Sequence, residues 1–114
     1  MTWCKVTAIV RGLALERVEE QLERLGVPGV TVTQVQGFGE YRDFFRHDWS
    51  VGHARLELFV PRADADRYVH AILKAASTGD AGDGIIAVAP VESVIRIRDG
   101  SAALTRSVKA AEEG

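Results

Sequence analysis

The residues best suited to chemistry lie in the segment Thr78-Gly79-Asp80-Ala81-Gly82-Asp83-Gly84 and in the pair Arg96 and Arg98 that follows it. Three glycines in seven residues leave the backbone free to bend and to present its N–H groups, which suits it to cradle an anion. Two arginines at i and i+2 on a strand project from one face and can reach the same ligand. Together they point to a ligand that bears phosphate. The plainer reading is a Gly-Asp-Gly turn followed by a surface strand with alternating charge.

These groups must be positioned by a chain of 114 residues, the size of one domain. Fourteen basic and sixteen acidic residues leave a net charge of −2, which argues against a general nucleic-acid or membrane-surface binder. The single cysteine, Cys4, cannot form an internal disulfide, and Thr2-Trp3-Cys4-Lys5 runs straight into a strand-like segment with no leader before it. Both features point to a reducing, cytoplasmic setting. No apolar run is long enough to span a bilayer, so no direct membrane insertion is expected.

Hydrophobic periodicity supplies the elements. Residues 3–10 read as a strand with Val6, Ala8 and Val10 on one face. Residues 14–25 read as a helix whose Leu15, Val18, Leu22 and Leu25 share a stripe, while Glu16, Glu19, Glu20 and Glu23 form a solvated face. Gly26 stops that helix, and β-branched residues 30–36 form the next strand. Residues 53–60 alternate, with Ala54, Leu56, Leu58 and Val60 facing one way. Asp64 is the expected N-cap of a helix over 65–77, with Ala65, Val69, Ile72 and Ala76 as its apolar stripe, widened by Tyr68 and Leu73. A buried strand over 85–89, a turn at Pro90-Val91-Glu92, a last strand over 94–98 and a polar tail over 99–114 complete the chain.

The order is β-α-β, loop, β-α-β and a terminal strand. It predicts an α+β domain with a four-stranded antiparallel sheet and both helices on one face, the ferredoxin-like double βαβ arrangement. The uncovered face carries apolar residues, for which self-association is the simplest cover. Residues 40–52 fit neither the helical nor the strand period and read as a long loop. Its aromatics Tyr41, Phe44, Phe45 and Trp49 read as a partner-binding patch, with folding back to cap the trimer or cleft as the alternative for Phe44, Phe45 and Trp49.

Four stretches carry a resemblance: Thr31-Val32-Thr33-Gln34-Val35-Gln36-Gly37-Phe38-Gly39; Thr78-Gly79 with Gly82-Asp83-Gly84; Pro90-Val91-Glu92; and Val94-Ile95-Arg96-Ile97-Arg98. In this order and spacing the chain resembles the PII signalling proteins over about residues 5–98. The resemblance implies a homotrimer that is a regulator and not an enzyme. It implies adenine nucleotides bound between subunits, and a loop after Gly-Phe-Gly that reports ligand state to a transporter or enzyme client. By that resemblance Thr31 contacts adenine, Gly37, Phe38 and Gly39 form the loop base beside the nucleotide, and Glu57 and Phe59 line the base and ribose side. Gly82, Asp83 and Gly84 wrap the phosphates, and Arg96 and Arg98 reach them from the opposite side.

The chain also departs from that pattern. Ile85 stands where such proteins usually carry a phosphate-binding lysine, and Glu40 and Tyr41 stand where they usually carry Arg and Gln. A carboxylate beside a triphosphate is repulsive by about 1–4 kcal/mol at contact distance. ADP or AMP therefore fits better than ATP. Tyr41 lies at the loop base, which argues against uridylylation at a loop-tip tyrosine. Arg11, just after the first strand, reads as a surface charge, with a supplementary phosphate contact as the alternative. His47, Asp48, His53 and Cys4 match no zinc spacing, so no metal is expected. A trimeric metal-responsive protein of the divalent-cation tolerance type is the alternative function, and a small enzyme on the same scaffold, like dimeric α/β-barrel oxygenases, is a further rival. No nucleophile–base arrangement or P-loop lysine supports catalysis.

Overall fold

The computed structural model describes residues 2–35 and 52–102. Strand β1 (Trp3–Arg11) leads through a short 3-10 turn (Gly12–Ala14) into helix α1 (Leu15–Arg24), and strand β2 (Thr31–Val35) follows. After the central segment come strand β3 (His53–Pro61), helix α2 (Arg62–Ala76), a second 3-10 turn (Ala81–Asp83) and strand β4 (Gly84–Val91). The strands form one antiparallel sheet in the order β2-β3-β1-β4. This is the ferredoxin-like arrangement that the element order predicts.

Period-two alternation decides the sheet's faces. Cys4, Val6, Ala8 and Val10 of β1 and Leu56, Leu58 and Val60 of β3 point to one side and are buried. Val18 and Leu22 of α1 and Ala65, Tyr68, Ile72 and Ala76 of α2 close over them. Lys5, Thr7, Ile9 and Arg11 therefore share the other, open face with Arg55, Glu57 and Phe59, their neighbours by register. Burial raises the pKa of the Cys4 thiol, as expected of a core cysteine.

The helix ends have local causes. At the C-terminus of α1, Gly26 adopts φ +77°; its N–H donates to Glu23 O at 2.9 Å, and Val27 N–H donates to Leu22 O at 3.1 Å. That pairing is a Schellman stop. Helix α2 begins three residues earlier than the expected start at 65, directly after Pro61, and no side chain caps it. The Arg62 N–H is satisfied instead by Thr2 O at 2.8 Å. Asp64 is thus not the N-cap; it lies in the first turn and pairs with Arg67 at 3.6 Å.

Two expectations for the C-terminal third are corrected. Strand β4 does not end before Pro90 but continues through it to Val91. It lies at the sheet edge, where the N–H that proline lacks has no ladder partner to lose. Residues 94–98 do not form a strand. Ile95 makes an isolated bridge to Ala102. Arg96 N–H donates to Ser101 O and Gly100 N–H to Arg96 O, which closes a turn. Arg96 and Arg98 therefore do not share a strand face. Residues 99–102, expected in the tail, belong to this turn.

Leu56 is fully buried beneath both helices. Leu56→Ala is expected to lower folding stability by about 2–5 kcal/mol through lost transfer energy and a cavity, read as a fall in the urea midpoint with unchanged slope.

Candidate functional site

The glycine loop leaves α2 at Ser77 and re-enters the sheet at Gly84. Its shape is set by Asp83. That carboxylate accepts the Thr78 N–H at 2.6 Å, the Thr78 hydroxyl at 2.5 Å and the Gly79 N–H at 2.9 Å. The Thr78 hydroxyl first, then the backbone donors, holds the Asp83 pKa at about 2, well below its ordinary 3.8. Asp80 caps the 3-10 turn by accepting Gly82 N–H at 3.0 Å, and Asp83 N–H donates to Asp80 O at 3.1 Å. In the form described, the Gly82 and Asp83 amides thus donate within the loop.

Glycine is required at Gly84, and at Gly82 it leaves room for a neighbouring side chain. Gly84 has φ +112°, and a Cβ there would collide with the Ile9 carbonyl oxygen. Its bare backbone lets β4 start against β1. At Gly82 a Cβ would occupy the space taken by the Arg11 guanidinium. Arg11, the last residue of β1, reaches under the loop, with Nη2 3.3 Å from Asp80 Oδ1 and Nε 3.6 Å from Asp83 Oδ1. It is not a free surface charge. The ion pair between Arg11 and Asp80 is what sequence reasoning did not reach. The signal was available only through register, since Val10 pairs with Gly84 and so places residue 11 beside residue 83.

The other site residues fall elsewhere on the sheet. Thr31 is exposed at the start of β2 and pairs with Glu57, whose carboxylate is 3.4 Å from Lys5 Nζ. Phe59 lies two residues further along β3 and is 46% exposed, which is high for a large aromatic. Arg96 and Arg98 follow the far end of β4, beyond the Trp3–Val91 pair. The Val10–Gly84 and Trp3–Val91 pairs are separated by the length of β4, about 23 Å at strand rise. The glycine loop and the exit towards the arginine segment therefore lie at opposite ends of β4, with Glu57 midway along the open face of β3 and Phe59 two residues nearer that exit. Among the described residues, Nε of Arg55 and Nη1 of Arg96 are buried without a hydrogen-bond partner.

Gly37, Phe38, Gly39, Tyr41, Phe44, Phe45, Trp49, His47 and Asp48 lie outside the described residues. His53 opens β3, away from the buried core thiol of Cys4 on the helix face. Among the described residues no group of three His, Cys, Asp or Glu side chains is placed to hold a metal ion. No helix among them is long and apolar enough to cross a membrane.

A carboxylate whose pKa is lower in the folded than in the unfolded chain stabilises most when fully ionised in both. The Asp83 contribution is therefore complete above about pH 4 and fades as pH falls towards the folded value of about 2. Asp83→Asn is expected to destabilise the protein at pH 7, with the gap from wild type narrowing across that window. Denaturant midpoints at a series of pH values measure it.

Comparison with known proteins agrees with this architecture. The family model of nitrogen regulatory protein P-II matches residues 3–101. Nitrogen regulatory protein P-II 1 of Methanothermobacter thermautotrophicus is 42% identical over 106 residues, covering 87% of this chain and 92% of that protein. The P-II protein of Azospirillum brasilense is 37% identical over 103 residues, 84% of this chain and 92% of its own length. The crystal structure of Arabidopsis thaliana PII bound to citrate superposes with a TM-score of 0.77 at 36% identity, covering 91% of each chain. These matches favour the regulatory reading over the metal-tolerance one. The chain belongs to the nitrogen regulatory protein P-II family of signalling regulators.

Proposed function

We propose that this protein is a cytoplasmic homotrimeric regulator that binds an adenylate in the clefts between subunits and signals through residues 40–52 to a transporter or enzyme. The observation that carries the reading is the separation of its two half-sites. The glycine loop opens β4, and Arg96 and Arg98 follow its other end, with about 23 Å of strand between. In this reading the nucleotide lies between two copies, gripped by the glycine loop of one and the arginines of the other.

Three further features support it. The open face of the sheet presents Ile9 and Phe59 without helical cover, and Ile97 beside the arginines is 98% exposed. Apolar surface of this kind is normally covered by association. The orphan guanidinium nitrogens of Arg55 and Arg96 call for a partner that the described residues do not supply. The related Arabidopsis protein was crystallised with citrate, itself an anion.

Charge sets the preference among adenylates. The glycine loop brings Asp80 and Asp83 against one arginine, and position 85 is isoleucine. A site so sparing of cations favours ADP or AMP over ATP. The reading assigns adenine to Thr31, Glu57 and Phe59 of one subunit. Gly82–Gly84, with Gly37, Phe38 and Gly39 at the base of the loop, come from the next. Arg96 and Arg98 close on the phosphates. Tyr41, Phe44, Phe45 and Trp49 form the client-facing surface.

Calorimetry with ATP, ADP, AMP and cyclic AMP, beside light scattering for mass, tests the proposal. The expected result is a particle of three chains that binds ADP or AMP more tightly than ATP, and loses about tenfold or more in affinity in the Arg96→Ala/Arg98→Ala variant. No heat with any of the four at protein concentrations well above micromolar would overturn it.

A further inference from the structure

The phosphate reading leaves open which cation serves the glycine-loop half of the site. We propose that Arg11 is that cation, and that Asp80 is an internal competitor that sets how readily a phosphate obtains it. This inference rests on the phosphate-binding reading of the loop.

Register makes the case for Arg11. Ile9 pairs with Ile85 and Val10 with Gly84, so Arg11 and Ile85 are diagonal neighbours on the open face of the sheet. Ile85 offers no charge, and the guanidinium beside it enters the space that the missing Gly82 side chain leaves. The side chain is still 26% exposed, so part of the fork faces outward. Guanidinium groups match phosphate geometry through paired N–H donors.

The two carboxylates on Arg11 differ in how firmly they are held. Asp83 is fixed by the Thr78 hydroxyl and the Thr78 and Gly79 amides, and its side chain is only 18% exposed. It cannot leave without dismantling the loop. Asp80 is 55% exposed. Its ion pair to Arg11 is therefore the one an incoming anion can replace. Replacement exchanges one charge-assisted contact for another, so affinity depends on how strongly Asp80 competes. Asp83 remains in place and orients the guanidinium, and the two residues divide between displaceable and permanent roles.

The roles are separable by the sign of a mutation. If Asp80 were only a structural support, its loss would loosen the loop and weaken binding. If it competes, its loss strengthens binding. ADP titrations of wild type, Asp80→Asn, Arg11→Gln and the double variant distinguish these, with thermal melts confirming that each is folded. Asp80→Asn keeps the oxygen that caps Gly82 and removes the charge. It is expected to tighten ADP by roughly three- to fivefold, the size of one partly exposed ion pair, with a larger gain for ATP than for AMP. Arg11→Gln is expected to weaken ADP by about tenfold or more, and to abolish the gain from Asp80→Asn. Equal or weaker ADP binding by Asp80→Asn, while wild type binds, overturns this inference and leaves the nucleotide reading standing. A gain that persists without Arg11 overturns it also. No binding by any of the proteins overturns both.

Discussion

Strand β1 is paired along both edges, with β3 over all nine of its residues and with β4 over eight. The other elements take their positions from this double pairing. Its helix-facing residues Cys4, Val6, Ala8 and Val10 are buried under both helices, so a slip of one residue would turn the entire set outward. Register is thereby fixed, and with it the placement of every group on the opposite face. The end of β1 delivers Arg11 to the glycine loop, and the start of β4 must pass so close to Ile9 that only glycine fits at position 84.

The glycine loop is held by charge more than by apolar contact. One carboxylate, Asp83, gathers three donors at its entrance, and Arg11 bridges Asp83 to Asp80. Such a loop can be both ordered and responsive. Its shape depends on three short hydrogen bonds to Asp83, while the Asp80 contact lies in partial solvent, where an ion pair contributes little net free energy. A regulator needs that combination, because a ligand can shift an equilibrium only by as much as it discriminates between the two states.

Under the proposed reading, the placement of the two half-sites gives association a functional reason. A four-stranded sheet with helices on one face leaves the other uncovered, and Thr31, Glu57 and Phe59 lie on that uncovered face. In the proposed trimer, association that covers Phe59 and Ile97 would also complete the cleft.

The alternation of β1 and β3, the stripes of both helices and the Gly26 stop were legible in the sequence, because each depends on contacts within a few residues and on whether a face meets water. So was the family resemblance, carried by glycines and arginines in fixed order. The sequence did not disclose the start of α2, whose first amide is satisfied by Thr2 across the fold, nor the passage of β4 through Pro90, tolerated only because that strand is an edge. It suggested a strand for Arg96 and Arg98, where the backbone instead closes a turn. The contact between Arg11 and Asp80 was hidden for the same reason. They are 69 positions apart in the chain, and only the pairing of β1 with β4 brings them together. Local periodicity determined the elements and their faces, whereas contacts between distant residues, set by strand order and register, were decided by the tertiary structure alone.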